Sequence, residues 1–240
     1  MHNRRHFLKI SAKGVAIMLA YISSTHLFSD DFCYENNCNK LNWKKFLKKV
    51  NKISNNQFSN SWDQELYVRE LISIMATLNI KDSNLIDLYS SFKKTIFGFP
   101  ELTTVFKDDK FDVVIIEFLK GDKIPLHNHP DMTGVILCLD GEVRIEIFNP
   151  VENNGSFSGT FIQLKEAITL TKGNFSTLTT QRGNIHSLEA TQDCILLDVF
   201  TPPYRGDRLE RYRWYTRSSL PEPNSPNIYK AVEHKQFPGF

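Results

Sequence analysis

The spacing of hydrophobic residues changes character near Pro100. Between Leu41 and Phe97 the apolar residues recur every three or four positions, which is typical of helices that bury one face. After Pro100 they form short runs rich in β-branched and aromatic residues, bounded by turn residues, which is typical of strands. The pattern therefore predicts a helical region over residues 40–98 and a strand-rich domain over residues 99–240.

Three helices are predicted in the first region. LNWKKFLKKVNKI places apolar side chains on one face and lysines on the other. A lysine run of this kind can indicate a membrane-surface helix, but we interpret it as a solvated face. SWDQELYVRELISIMATLNI is expected to begin with Ser61 as its N-cap, and the third helix is expected to cover Asn84–Thr95. None of the three contains an obvious catalytic cluster, so we expect an α-helical layer packed on the strand domain.

Seven segments of the second region are predicted to be strands. Asp140-Gly141, between the second and the third of them, is typical of a tight hairpin turn. Short strands with little helix between them favour an antiparallel sandwich or barrel. The Pro-, Asn- and Ser-rich tail from about Ser218 is expected to wrap the surface irregularly. The predicted strands are 111–119, 134–141, 142–150, 160–170, 174–181, 186–191 and 194–203.

Charge is placed unevenly along a nearly neutral chain. With 41% apolar residues, the 240-residue chain is long enough to bury a substantial core. Residues 1–53 hold ten of the 29 basic residues and three of the 27 acidic ones, which leaves 19 and 24 for the remainder. This mildly acidic main body argues against nucleic acid as a partner.

The first 30 residues resemble an export signal. Arg4-Arg5 followed by x-Phe-Leu-Lys resembles the twin-arginine signal of bacteria, with Asn3 where Ser or Thr is usual. Lys13 interrupts the apolar stretch that follows, so no stable membrane span is predicted. We expect a periplasmic protein; the alternative is a basic amphipathic N-terminal helix on a cytoplasmic protein. Export that survives replacement of both arginines by lysine would exclude the signal.

Two pairs of cysteines have different surroundings. Cys33 and Cys38 lie in a polar loop, where an oxidising compartment would allow them to form a disulfide. Cys138 and Cys194 lie inside apolar runs and are expected to be small buried residues.

Three histidines carry the candidate chemistry. His127 and His129 lie two residues apart in GDKIPLHNHPDMTGVILCLDG, so in extended chain they point the same way. His186 follows in RGNIHSLEA, between strand-like segments. A single histidine on an apolar face is more often an ordinary core residue. Two at this spacing with a third on a later strand predict one shared metal. Because imidazole ligands must be unprotonated, any activity that depends on this metal should fall at acidic pH.

The residues around the first two histidines resemble the first cupin motif. Gly121 precedes His127 by five intervening residues, and His129 follows it after one. The position usually occupied by a glutamate ligand falls on Gly134, or on Thr133 if the spacing slides by one. The motif therefore carries no acidic ligand at its usual place.

The later blocks make the resemblance more specific. Gly183-x2-His186 resembles the end of the second cupin motif. Together with IPLHNHPDMTGVILCLDGEVRIEIF and LLDVFTPPY, it makes residues 98–216 similar to the cysteamine dioxygenase/plant cysteine oxidase family of thiol dioxygenases. The resemblance implies a mainly β fold, a cupin (double-stranded β-helix) barrel, here with an N-terminal α-helical layer.

The resemblance also implies a reaction. Fe(II) would be held by the three histidines, and O2 would be inserted into the thiol of cysteamine or of an N-terminal cysteine to give a sulfinate. Three neutral ligands leave the metal charge available to a substrate thiolate. Asp198 matches the family's acid near the substrate, with a structural cap before Pro202-Pro203 as the alternative. Tyr204 is assigned to the substrate pocket, with simple packing as its alternative.

Two features leave the function open. The segment DRLERYRWYT lacks the cysteine that animal and plant members carry near a tyrosine, so any Cys–Tyr cross-link there is absent. A non-catalytic metal- or ligand-binding cupin that acts as a sensor or storage module is an alternative, as is an isomerase or oxidase that uses Mn or Ni.

No arginine is placed by a motif to bind a free carboxylate, which favours cysteamine or an N-terminal cysteine over free cysteine. The expected partners are this thiol and dioxygen, and the expected state is a monomer.

Overall fold

The computed structural model of the chain describes residues 40–89, 98–152 and 158–238. The expectations for the export segment and for the Cys33–Cys38 pair concern residues 1–39, outside this part. Within it, no helix is both long enough and apolar enough to cross a membrane.

Three helices precede the strands, as predicted. They are α1 Trp43–Ser54, which continues into a 3-10 turn over Asn55–Phe58, α2 Gln64–Ala76 and α3 Ser83–Tyr89. The predicted third helix reached Thr95, but residues 90–97 lie outside the described part of the chain.

The start of α2 corrects one prediction. Its N-cap is Asp63, whose carboxylate accepts a hydrogen bond from the Leu66 N–H at 2.9 Å. The Ser61 hydroxyl, which was expected there, instead contacts the Ser59 hydroxyl at 3.0 Å. A carboxylate satisfies a free N–H and also complements the positive end of the helix dipole, so it makes the stronger cap.

Eleven strands and one short helix follow in the described residues. The seven predicted strands are present as β2 and β4 to β9, with ends that shift by a few residues. The complete set is β1 Glu101–Lys107, β2 Asp112–Phe118, β3 Lys123–Asn128, β4 Thr133–Asp140, β5 Glu142–Val151, β6 Thr160–Thr171, β7 Phe175–Leu178, β8 Ile185–Ala190, β9 Cys194–Thr201, α4 Asp207–Arg211, β10 Trp214–Arg217 and β11 Ile228–His234.

The strands form two antiparallel sets. One is a five-stranded sheet in the order β1-β2-β9-β4-β7. The other closes on itself in the order β10-β11-β6-β5-β8-β3, with Trp214 of β10 opposite His127 of β3 at the closing pair. Inward-facing residues of both sets, among them Ile136, Leu196 and Ile145, share one core. The fold is therefore mainly β and is a cupin barrel, which confirms the predicted fold class.

The turn at Asp140-Gly141 is not a hairpin. β4 pairs with β7 and β9, whereas β5 pairs with β6 and β8, so the two residues carry the chain from one sheet to the other. Gly141 has a φ of 76°, and a Cβ there would lie 1.9 Å from the Asp193 carbonyl oxygen. Glycine is required because the chain changes sheet beside the Asp193 backbone.

The tail after Ser218 is not wholly irregular, contrary to expectation. β11 pairs with β6 and with β10, and its Ala231 is only 1% exposed. The Pro- and Asn-rich residues lie mainly in the turn before β11 and dominate the local composition. For that reason the sequence pattern did not predict β11, which completes the second set of strands.

Residue alternation gives the five-stranded sheet two faces. In β9, Leu197 and Val199 pack on the outer side against α1, α2 and α3, which forms the predicted helical layer. Leu196 and Phe200 point to the inner side, toward the other set. Successive side chains of a strand point to opposite faces, so each residue number in β9 fixes the environment of its side chain.

Candidate active site

Strand pairing brings the three histidines together. His127 of β3 lies directly opposite His186 of β8, and His129 follows one residue after β3 ends. His129 is held by Asn184, whose side-chain N–H donates to the His129 carbonyl at 2.8 Å and whose backbone carbonyl accepts from the His129 N–H at 3.1 Å. The residue between the first two ligands faces elsewhere, because the Asn128 side-chain oxygen accepts from the Arg213 N–H at 2.7 Å.

The imidazole Nε2 atoms converge on one point. The Nε2 of His129 is 3.1 Å from that of His127 and 3.0 Å from that of His186. All three side chains are buried, with 5%, 5% and 4% exposure for His127, His129 and His186. In the described part of the chain they are the one group of three potential ligands gathered tightly enough to hold a metal ion.

The outer nitrogens fix the direction of two of the rings. The Nδ1–H of His127 donates to the Pro125 carbonyl at 2.8 Å, and Nδ1 of His129 is hydrogen-bonded to the Tyr204 hydroxyl. These contacts leave the Nε2 lone pairs aimed at the common point. Bonds of about 2.1 Å to one metal, set at right angles, would separate two nitrogens by about 3.0 Å. The observed donor set therefore fits a single transition metal.

Burial also keeps the imidazoles in the form that binds a metal. Burial lowers the pKa of His127 to about 4. It holds the pKa of His129 and of His186 well below the usual range, with the neighbouring imidazoles adding to the effect. Neutral imidazoles are the ligands that a metal requires.

Asp198 lies on the inner face of β9, between its neighbours Val114 of β2 and Ile136 of β4. Burial raises the pKa of its carboxyl to about 7. Within the described residues, this carboxyl forms no hydrogen bond with the backbone of the turn at Pro202. Its position is therefore that of a buried interior acid, and the capping alternative has no contact to support it.

The position at which cupins usually carry a glutamate ligand lies on β4. In β4, Ile136 and Cys138 face the inner core, so Gly134, an even number of residues away, faces it too. Thr133 faces the helical layer, where its hydroxyl donates to the Gln64 side-chain oxygen at 2.9 Å. Gly134 is thus the equivalent of the usual ligand position, and it offers no donor atom.

Aromatic side chains surround the histidines, and sequence reasoning missed two of them. Tyr204 lies behind His129, with its ring centre 5.6 Å away. Trp214 and Tyr212 lie 5.5 Å and 5.8 Å from the His127 ring. The alternation of aromatic residues in RYRW was the available signal. It did not show that β10 pairs with β3 beside His127.

Comparisons with known proteins find a matching family and several similar chains. A PCO_ADO family model matches residues 78–237. Human 2-aminoethanethiol dioxygenase is 22% identical over 163 residues, which cover 58% of this chain and 60% of that protein. The probable 2-aminoethanethiol dioxygenase of Dictyostelium discoideum is 25% identical over 62% of this chain and 71% of its own length. Plant cysteine oxidase 2 of Arabidopsis thaliana is 23% identical, over 70% of this chain and 64% of its own. The matched region thus spans less than two thirds of the human and Arabidopsis proteins.

Solved structures match the chain at low similarity. A double-stranded β-helix protein of Klebsiella pneumoniae has a TM-score of 0.37 at 17% identity and covers 49% of this chain and 93% of its own. An RmlC-like cupin of Desulfovibrio desulfuricans has a TM-score of 0.35 at 19% identity, over 48% of this chain and 95% of its own.

Proposed function

Because this chain belongs to the PCO_ADO family, we propose that it is a non-haem Fe(II) thiol dioxygenase. Its substrate is a small aminothiol such as cysteamine, or the N-terminal cysteine of a peptide. The reaction adds both atoms of O2 to the sulfur, so that RSH and O2 give the sulfinic acid RSO2H. No external reductant is needed, because the sulfur itself supplies the four electrons.

One observation carries the proposal: among the described residues, three buried neutral imidazoles converge in a group of potential ligands that contains no carboxylate. The Nε2 atoms of His127 and His186 both approach that of His129, and Gly134 occupies the place of the acidic ligand. Iron, when bound, supplies the redox centre at which a thiolate and dioxygen react. A site without a ligand carboxylate keeps its positive charge for an anionic substrate.

The surrounding residues support distinct roles. The Pro125 carbonyl and the Tyr204 hydroxyl orient the rings of His127 and His129 through their Nδ1 atoms. Asp198, with a pKa of about 7, is suited to take the proton that a thiol or ammonium group must release near neutral pH.

The arginine beside Tyr204 supports a substrate without a carboxylate. The Arg205 guanidinium donates to the Asp108 carbonyl and lies 3.7 Å from the Asp112 carboxylate. Both partners flank the turn between β1 and β2, so this side chain is engaged there. Cysteamine and an N-terminal cysteine need no such arginine, whereas free cysteine has a carboxylate to neutralise.

The proposal is tested by loading the protein with Fe(II) without oxygen, measuring bound iron, and then following oxygen uptake. Cysteamine, free cysteine and a peptide with an N-terminal cysteine are compared. We expect uptake with cysteamine or the peptide to exceed uptake with cysteine, and mass spectrometry to find two added oxygen atoms. Iron binding without thiol-dependent uptake would overturn the enzyme and favour the sensor or storage alternative.

The ligand set is tested by His186→Ala. Removing one of three ligands should abolish iron retention and with it oxygen uptake, because two imidazoles leave the metal under-coordinated. His234→Ala is the matched control, since the His234 ring is not one of the three converging imidazoles and contacts the Thr216 hydroxyl at an exposed position. A His186→Ala protein that still holds one full equivalent of iron would refute the three-histidine centre.

A further inference from the structure

The outer face of α1 carries five exposed lysines. The helix buries its opposite side, which includes Trp43, Phe46 and Val50, in the helical layer. At about 100° per residue the lysines fall together on the side away from this buried stripe. We name this surface the lysine face; it consists of Lys44, Lys45, Lys48, Lys49 and Lys52.

These charges are not neutralised by nearby acids. Within the part of the chain that the structure describes, none of the five takes part in an ion pair. Two lysines of the strand domain are paired: Lys123 lies 2.9 Å from Glu189, and Lys172 lies 2.9 Å from Asp140. Like charges four residues apart destabilise a helix. The lysine face therefore combines a cost to stability with an unused attraction for a negatively charged partner.

The residue types favour a diffuse anionic surface over nucleic acid. All five are lysines, which act as point charges and suit a surface potential. Arginine, whose fork matches single phosphates with two hydrogen bonds, does not occur in α1. Residues 54–240 also carry 24 acidic and 19 basic residues, so the rest of the body would repel a long polyanion.

An exposed aromatic side chain lies at the end of the same helical segment. Phe58 closes the 3-10 turn that continues α1, and its side chain is 67% exposed. Basic residues beside an exposed aromatic residue are typical of elements that rest on a bilayer. We infer that the lysine face and Phe58 dock this protein on the surface of an anionic lipid bilayer. This revises the interpretation of the lysines as a merely solvated face, and it does not depend on the proposed enzymatic activity.

Co-sedimentation of the full chain with vesicles tests the docking. We expect binding to phosphatidylcholine vesicles that contain about 30% phosphatidylglycerol and no binding to pure phosphatidylcholine. Raising salt from about 0.1 M to 0.5 M should release the protein. Each lysine removed should weaken partitioning about fivefold, so Lys44→Gln with Lys48→Gln should weaken it about 25-fold. Phe58→Ser should weaken it about tenfold, through lost apolar burial.

The matched control removes two exposed lysines from the strand domain, Lys120→Gln with Lys165→Gln. It should bind vesicles like the wild type, and every variant should keep the wild-type circular dichroism spectrum. If the control and the α1 variant lost vesicle binding equally, net charge alone would explain the loss, and the inference would be overturned. Undiminished binding of the α1 variant, or tighter binding to duplex DNA than to the vesicles, would also overturn it. Oxygen uptake with a soluble thiol should be unchanged in all of them.

Discussion

The two faces of the five-stranded sheet use the same strands for different purposes. On the outer face, Leu197 packs in an apolar core under the helices, and the Thr201 hydroxyl lies 2.7 Å from that of Tyr67. On the inner face of the same strand, Asp198 is buried, with 8% of the residue exposed. Within the described residues it forms no side-chain hydrogen bond. The hydroxyls of Thr201 and Tyr67 thus satisfy each other on one face, whereas the Asp198 carboxyl on the other face has no hydrogen-bond partner among the described residues.

The difference separates stability from chemistry. A buried carboxyl without a partner lowers the stability of the fold, so its presence needs another reason. Because strand residues alternate between faces, β9 supplies core contacts with Leu197 and Val199 and an interior acid with Asp198. The inner face thus carries an interior acid within an otherwise apolar core, and the following variants test whether that acid serves the site.

Asp198→Asn should have the largest effect. It keeps the shape of the side chain but removes the group that accepts a proton, so oxygen uptake per bound iron should fall by about 10²- to 10⁴-fold. Iron retention should not change, because Asp198 is not among the three ligands. Uptake within threefold of the wild type, or a parallel loss of iron, would contradict the assigned role.

The same variant should change how stability depends on pH. The pKa of Asp198 is about 7 in the folded protein and about 3.9 in an unfolded chain. Between about pH 4 and 7 the folded state therefore binds one more proton at Asp198 than the unfolded state. The protonated carboxyl contributes its full stabilisation at low pH, and this stabilisation is lost as the pH rises to 7. Asp198→Asn has no ionisable group at this position, so it does not lose this stability. The free energy of unfolding of the variant minus that of the wild type should therefore increase by about 3 kcal/mol between pH 5 and pH 8.

Urea denaturation of the two metal-free proteins at both pH values measures this gain. The histidines titrate in both proteins, so their contribution cancels in the difference. A difference that stays constant across the range would show that the buried carboxyl is ionised at low pH in the folded protein.

Leu197→Ala should act on the outer face alone. Leu197 is fully buried between Ile115 and Leu137, so the substitution leaves a cavity and should lower the free energy of unfolding by about 2–5 kcal/mol. Iron retained per folded protein should remain that of the wild type. Loss of iron in conditions where the variant is fully folded would mean that the two faces are coupled.

The predictable parts of this molecule are those set by local spacing. The separation of His127 and His129 predicted that both rings share a side, and the seven strand segments followed from short apolar runs. Asp140-Gly141 was recognisable as a turn. The sheet to which the next strand belongs is decided by pairing partners far away in the chain, and local residues do not encode it.

The same limit explains the residues that were missed. Trp214 lies beside His127 because β10 closes the second set of strands, a contact between positions 87 residues apart. Tyr212 belongs to the same segment, and β11 was hidden by the composition of the turn before it. Asp198 was found only through the family resemblance, since a single acid in an apolar strand gives no local signal of its role.

Tyr204→Phe should weaken the metal site with little effect on the fold. It removes the hydroxyl bonded to Nδ1 of His129, so that ring is less firmly oriented. The dissociation constant for Fe(II) should rise about 10- to 100-fold. Anaerobic competition with a chelator measures this change. An unchanged dissociation constant would reduce Tyr204 to a packing residue, the alternative that the sequence left open.

Tyr67→Phe is the same chemical change on the other face and should give the opposite result. The Tyr67 hydroxyl bridges Thr201 of β9, at 2.7 Å, and Ser54 of α1, at 3.2 Å. Removing it leaves two buried hydroxyls without this partner, so the free energy of unfolding should fall by about 1–2 kcal/mol. The affinity for Fe(II) should not change, because this contact holds the helical layer to the outer side of β9. Weaker iron binding in Tyr67→Phe, equal to that in Tyr204→Phe, would show that the helical layer also positions the histidines.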